Sequence, residues 1–80
     1  LEPEIAFGEV LRARRKEAGL SQEKLALDVG LERTFISMME RGQRQPSLTT
    51  LLKIAPALGC EAADLVADVE RLIEKRKSKR

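Results

Sequence analysis

The chain has 80 residues, 42% of them hydrophobic, with a net charge of +2, no histidine and one cysteine. A chain of this size buries only roughly 60–65% of its unfolded surface, so residues 1–80 are expected to form one domain around one core. The single Cys60 excludes an internal disulfide and fits a reducing compartment such as the cytoplasm, and neither a run near 18 apolar residues nor a signal peptide is expected.

The apolar supply is Leu, Ile, Val and Ala with only two aromatics, both Phe. It lacks the β-branched and aromatic runs that strands prefer, so the expected class is all-α. Charge is unevenly spread. Residues 71–80 hold six basic side chains and one acid, leaving nine basic and twelve acidic groups elsewhere, a net of −3. Without a bulk positive field, contact with a polyanion would rest on individually placed arginines. The basic tail, about 74–80, reads either as a solvated end or as an arm for such a contact.

Leu1–Glu4 read as a loose start, followed by a helix from about Ile5 to Ala18 with Phe7 or Gly8, Val10 and Leu11 inward. Gly19 suits a left-handed terminator, with Leu20 as its hydrophobic contact. Ser21 is the N-cap of a second helix, and Glu23 lies in its first turn. Lys24 at the third helical position leaves the capping box incomplete. A third helix runs from Glu32 or Arg33 to Arg41 and stops at Gly42, before a loop over 43–46. Ser47 caps a fourth helix whose inward stripe is Leu48, Leu51, Leu52, Ala55 and Leu58, ending at Gly59. Pro56 cannot donate to the Leu52 carbonyl, at a cost on the order of 3 kcal/mol in a helix interior, so a kink or a short 3₁₀ turn is expected there. A fifth helix covers about Ala62 to Lys75. Leu65 and Val66 close a core spanning about 5–69, while the apolar stripe continues through Val69, Leu72 and Ile73 beyond what that core needs.

The stretch Leu20–Gly42 is the most informative. Leu25, Ala26, Val29, Leu31, Ile36 and Met39 point inward, and Ala26 lets two helices approach closely. Gly30 supplies the positive φ of a sharp turn. Glu32, Arg33, Thr34, Ser37 and Met38 remain off the core side, on a helix that fits a DNA major groove. No catalytic set, cofactor site or metal site is visible: histidine is absent, one cysteine does not make a ligand set with scattered carboxylates, and no Gly-rich phosphate loop occurs. Cys60 reads as a buried structural thiol.

Leu20-Ser21-Gln22-Glu23, Leu25-Ala26, Val29-Gly30-Leu31, Ile36-Ser37, Glu40-Arg41-Gly42, Pro46-Ser47-Leu48 and Ala57-Leu58-Gly59 resemble the lambda-repressor-like (Cro/C1, or XRE) family of bacterial helix-turn-helix regulators. The resemblance spans about Phe7 to Val66, and Glu32 to Ser37 are also similar to restriction–modification controller proteins. It implies a compact five-helix fold with the helix-turn-helix at helices 2 and 3. It also implies a homodimer on a palindromic double-stranded DNA operator, with recognition helices about 34 Å apart. Gln22 would then contact a phosphate and buttress the recognition helix. Arg15 and Glu40 correspond to a structural ion pair, and Phe35, where many relatives place tyrosine, should pack.

Among the base readers, the Arg33 fork fits guanine O6 and N7, and Thr34 and Ser37 can bond a base or phosphate. Met38 reads equally as a contact to a thymine methyl or as part of the core with Met39. Glu32 reads as a helix-dipole partner rather than a base reader. Arg12, Arg14, Arg41, Gln43 and Arg44 are candidate phosphate contacts, Arg44 foremost. Val69, Leu72 and Ile73 are the expected dimer contact, with Leu65 at its edge. A contact to RNA polymerase would need an exposed acidic patch, for which Glu23, Asp28 and Glu32 are available. Two other readings stay open: a protein-interaction module of the same fold, antitoxin-like or adaptor, and the DNA-binding part of a longer repressor. The basic end and the lack of a linker after Ile73 favour a complete small regulator.

Overall fold

The computed structural model describes residues 1–78, which form five helices and, among them, no strand. They are α1 (Pro3–Glu17), α2 (Gln22–Val29), α3 (Arg33–Glu40), α4 (Leu48–Ala57) and α5 (Ala62–Ser78). The first helix starts two residues earlier than its apolar pattern implied. Pro3 stands in its opening turn, where a fixed φ near −65° is already helical and no N–H is required. The last helix runs three residues past Lys75, so the basic stretch continues the helix as far as Ser78; residues 79 and 80 of the expected tail lie outside the described residues.

Caps set the start of α2 and of α4 and the end of α2. Ser21 Oγ accepts from the Lys24 amide at 3.0 Å, and Ser47 Oγ accepts from the Thr50 amide at 3.1 Å. Gly30, with φ of 71°, closes α2, and the Leu31 amide donates to the Ala26 carbonyl at 2.9 Å. Each contact satisfies a backbone group that a helix end leaves without a partner. Pro56 lies in the last turn of α4. That turn tightens as expected: the Leu58 and Gly59 amides donate to carbonyls three residues back, Ala55 and Pro56, at 3.0 Å each.

The core is built from Phe7, Val10, Leu11, Leu25, Ala26, Ile36, Met39, Ile54, Ala55, Leu58 and Leu65. Around it α1 packs on α3 and α5, α2 packs on α3 and α4, and α4 packs on α5. Val29 and Leu31 are partly buried against it, and so are Phe35 and Cys60. Cys60 is thus a half-buried rather than a fully buried thiol, and its burial raises its pKa.

Three expected core residues are exposed: Leu48 at 70%, Leu52 at 59% and Val66 at 47%. The buried stripe of α4 is instead Ile54, Ala55 and Leu58, with Leu51 at its margin. This helix is apolar on nearly every side, so two stripes a turn apart fit the same periodicity. Contact with α2 and α5 selects the one that includes Ile54.

Candidate nucleic-acid interface

Helical geometry divides α3 into two faces. Ile36 and Met39 are fully buried, whereas Arg33 and Thr34 are exposed and Ser37 and Met38 half-exposed. The outward residues recur at positions 33, 34, 37 and 38, one turn apart, and continue to the exposed Arg41. Met39 takes the core place, and Met38 stays half-exposed beside it. Glu32 is the N-cap residue but makes no side-chain cap hydrogen bond, so any help it gives the helix comes from charge near the N-terminus. Exposed Gln43 and Arg44 follow α3, and the Arg44 guanidinium carbon lies 5.8 Å from the Phe35 ring centroid.

Behind this face is a polar network. Arg15 and Glu40 meet as a two-pronged pair: Arg15 Nε donates to Glu40 Oε2 at 2.6 Å, and Nη2 donates to Oε1 at 3.1 Å. The side chains are only 10% and 4% exposed, and Arg15 Nη1 donates to the Leu20 carbonyl at 2.8 Å. The hydrogen bond to Glu40 is the main cause of the raised Arg15 pKa. A carboxylate at the last residue of a helix opposes the helix dipole, and the forked arginine offsets that cost.

The network extends to the outward face. Gln22 Nε2 donates to Glu40 Oε1 at 3.0 Å, and Gln22 Oε1 accepts from Arg33 Nη1 at 3.4 Å, the long end of hydrogen bonding. Gln22 is therefore placed as a buttress between the end of α3 and its first residue. Its oxygen and one amide hydrogen are used, so its second amide hydrogen and the α2 backbone N–H groups are what it can offer an anion.

How α1 seats α3 is not anticipated by the apolar pattern. A Cβ on Gly8 would lie 2.5 Å from the Met39 carbonyl oxygen and 2.7 Å from that of Glu40. Only glycine permits this backbone approach. Gly8 stands seven residues before Arg15, on the same face of α1, so the two contacts align along one stripe. A glycine inside a helical pattern is the one signal of it in the sequence.

Other expected contacts are redirected. Arg14 is half-buried and donates through Nε to Asp68 of α5 at 2.8 Å, which removes it from the candidate phosphate contacts. Arg12 remains exposed. Asp68 also pairs with Arg71, and its carboxyl is held below the usual range chiefly by the Arg14 hydrogen bond. Val69 and Leu72 are partly buried against this chain's own core, and Ile73 is half-buried. Among the described residues no His, Cys, Asp or Glu cluster could hold a metal, and no helix is long and apolar enough to cross a membrane.

Residues 11–65 match the family model described as helix-turn-helix. Over 68 residues the chain is 43% identical to control protein C.MunI of a Mycoplasma species, covering 84% of this chain and 92% of that protein. The crystal structure of the restriction-modification controller protein C.AhdI from Aeromonas hydrophila superposes with a TM-score of 0.75 at 47% identity, over 78% of this chain and 94% of that one. The DNA-binding domain of the P22 c2 repressor is similar at 37% identity and a TM-score of 0.73, over 75% of this chain and 79% of that domain.

Proposed function

This chain belongs to the helix-turn-helix family of lambda-repressor-like transcriptional regulators, and from that premise we propose that it binds an inverted-repeat operator as a homodimer. The observation that carries this reading is the two-faced α3, whose outward residues Arg33, Thr34, Ser37 and Met38 are braced from behind by Gln22, Glu40 and Arg15. In this reading Arg33 reads a guanine edge in the major groove, with Thr34, Ser37 and Met38 beside it. Gln22, Arg41, Gln43 and Arg44 engage phosphates and set the register. Residues 1–70 carry a net negative charge that the basic end of α5 only balances, so one such surface gains little from bulk attraction, and a second copy doubles the contact.

The surface available to that second copy is apolar. Leu48 and Leu52 stand one turn apart on the exposed side of α4, and Val66 lines a hollow with Leu51 and Val69. The contact in this reading centres on Leu48, Leu52 and Val66, with Val69, Leu72 and Ile73 contributing what their own core leaves uncovered. Resemblance to proteins named as restriction–modification controllers supports a regulatory role of that kind. For a polymerase contact the exposed acids are Glu23, Asp28 and Glu32, of which Asp28 pairs with Lys24 at 3.0 Å.

Selection of bound duplexes from a random pool tests the reading. Inverted repeats with half-site centres about 34 Å apart are expected. Arg33→Ala should relax base preference at one position per half-site by about 1–3 kcal/mol. Enrichment of no motif, or of one unrepeated half-site together with a monomer by sedimentation at tens of micromolar, would overturn it.

A further inference from the structure

Phe35 and Arg44 are joined by a contact that the DNA-binding reading does not use. Phe35 is fixed by its place on α3 and by packing against the core. Arg44 is exposed in the loop after α3, with its guanidinium carbon 5.8 Å from the Phe35 ring centroid, inside the range in which an aromatic face attracts a cation. No side-chain hydrogen bond or ion pair holds Arg44 among the described residues, so the ring is the contact that orders it.

We propose that Phe35 is a positioning residue for Arg44, holding its guanidinium ready for the DNA phosphate backbone; this rests on the DNA-binding reading above. Stacking on a ring uses the face of the guanidinium and leaves its N–H donors at the rim for phosphate oxygens. A free arginine must lose its rotamer freedom when it binds, whereas one already held over a ring has lost part of that freedom in the unbound protein. Phe35 has no hydroxyl and cannot itself donate to a phosphate, so its effect on binding passes through Arg44.

The test measures binding of the full chain to two duplexes of equal length, a selected palindrome and an unrelated sequence, across a salt series. Arg44→Ala should weaken both and flatten the slope of log K against log salt by ~0.9 for each phosphate that the variant no longer neutralises. Phe35→Leu should weaken both by about two- to five-fold per half-site with the slope unchanged, because the charge is still present. In the Arg44→Ala background, Phe35→Leu should cost nothing further, and Phe35→Tyr should retain full affinity. Arg44→Lys, which leaves Phe35 and its packing untouched, should lose about as much as Phe35→Leu, since an ammonium keeps the charge without the planar stack.

The proposal is overturned if Phe35→Leu costs the same in both backgrounds, which would make it a packing residue only, or if Arg44→Lys binds like the parent. If Arg33→Ala and Arg44→Ala both leave binding unaltered, the assignment of the contacting face fails and this inference with it, whereas a parent chain that binds neither duplex overturns the DNA-binding reading itself.

Discussion

At the scale of single residues, the base-reading candidate is connected to the interior. Arg33 touches Gln22, Gln22 touches Glu40, and Glu40 is forked by Arg15. Glu40 is nearly sealed from solvent, so removing it strands an arginine charge in a poorly solvated place. Glu40→Ala is expected to cost about 3–5 kcal/mol in urea unfolding, whereas replacing Arg15 and Glu40 together by leucine should cost far less. Equal losses in the single and double variants would contradict that account. The identities of Arg15 and Glu40 were legible through the family resemblance. The dual bonding of Gln22 was not, because the choice between a phosphate and two protein partners depends on how far apart α2 and the end of α3 come to lie. Arg14 was illegible for the same reason: beside Arg15 in sequence, it turns toward α5 and Asp68.

At the scale of elements, the strongest positional constraint is the crossing of α1 over the end of α3. Gly8 meets the Met39 and Glu40 carbonyls, neither of which can swing aside as a side chain would. Alanine favours a helix interior over glycine by about 1 kcal/mol, but overpacking a close contact costs about 1–3 kcal/mol. Gly8→Ala is therefore expected to lower the urea midpoint; a raised midpoint would show that the helices can part without loss. Helix positions and their caps at Ser21, Gly30 and Ser47 were legible because capping is local chemistry. The buried side of α4 was not. Leu48, Leu51, Leu52, Ile54, Ala55 and Leu58 nearly encircle it, and only the neighbouring helices decide which of them are covered.

At the scale of the molecule, the charges of α5 are partly spent on α1. Arg76 pairs with Glu9 at 2.8 Å, and Asp68 stands between Arg14 and Arg71, so the two helices run antiparallel with ion pairs along their seam. The Asp68 carboxyl is held below its usual range when folded, so its contribution is fully present above about pH 5. As pH falls below about 4 the unfolded chain binds the proton first, and stability is lost. Asp68→Asn should accordingly show a smaller loss of stability between pH 6 and pH 3 than the parent, measured by urea unfolding at each pH; an identical loss would remove Asp68 from the account. The crossing at Gly8 has a broader consequence. The pose of α3 is set from behind, by carbonyl oxygens and a sealed ion pair, while positions 33, 34, 37 and 38 lie on the other side of the rod. Among the described residues, positions 34, 37 and 38 make no hydrogen bond to the joint that aims them, and position 33 meets it only through the long bond to Gln22. In the reading proposed above, diverging copies of such a scaffold can drift to new addresses in a genome while the joint behind α3 is kept, much as a tool accepts a new bit in an unchanged socket.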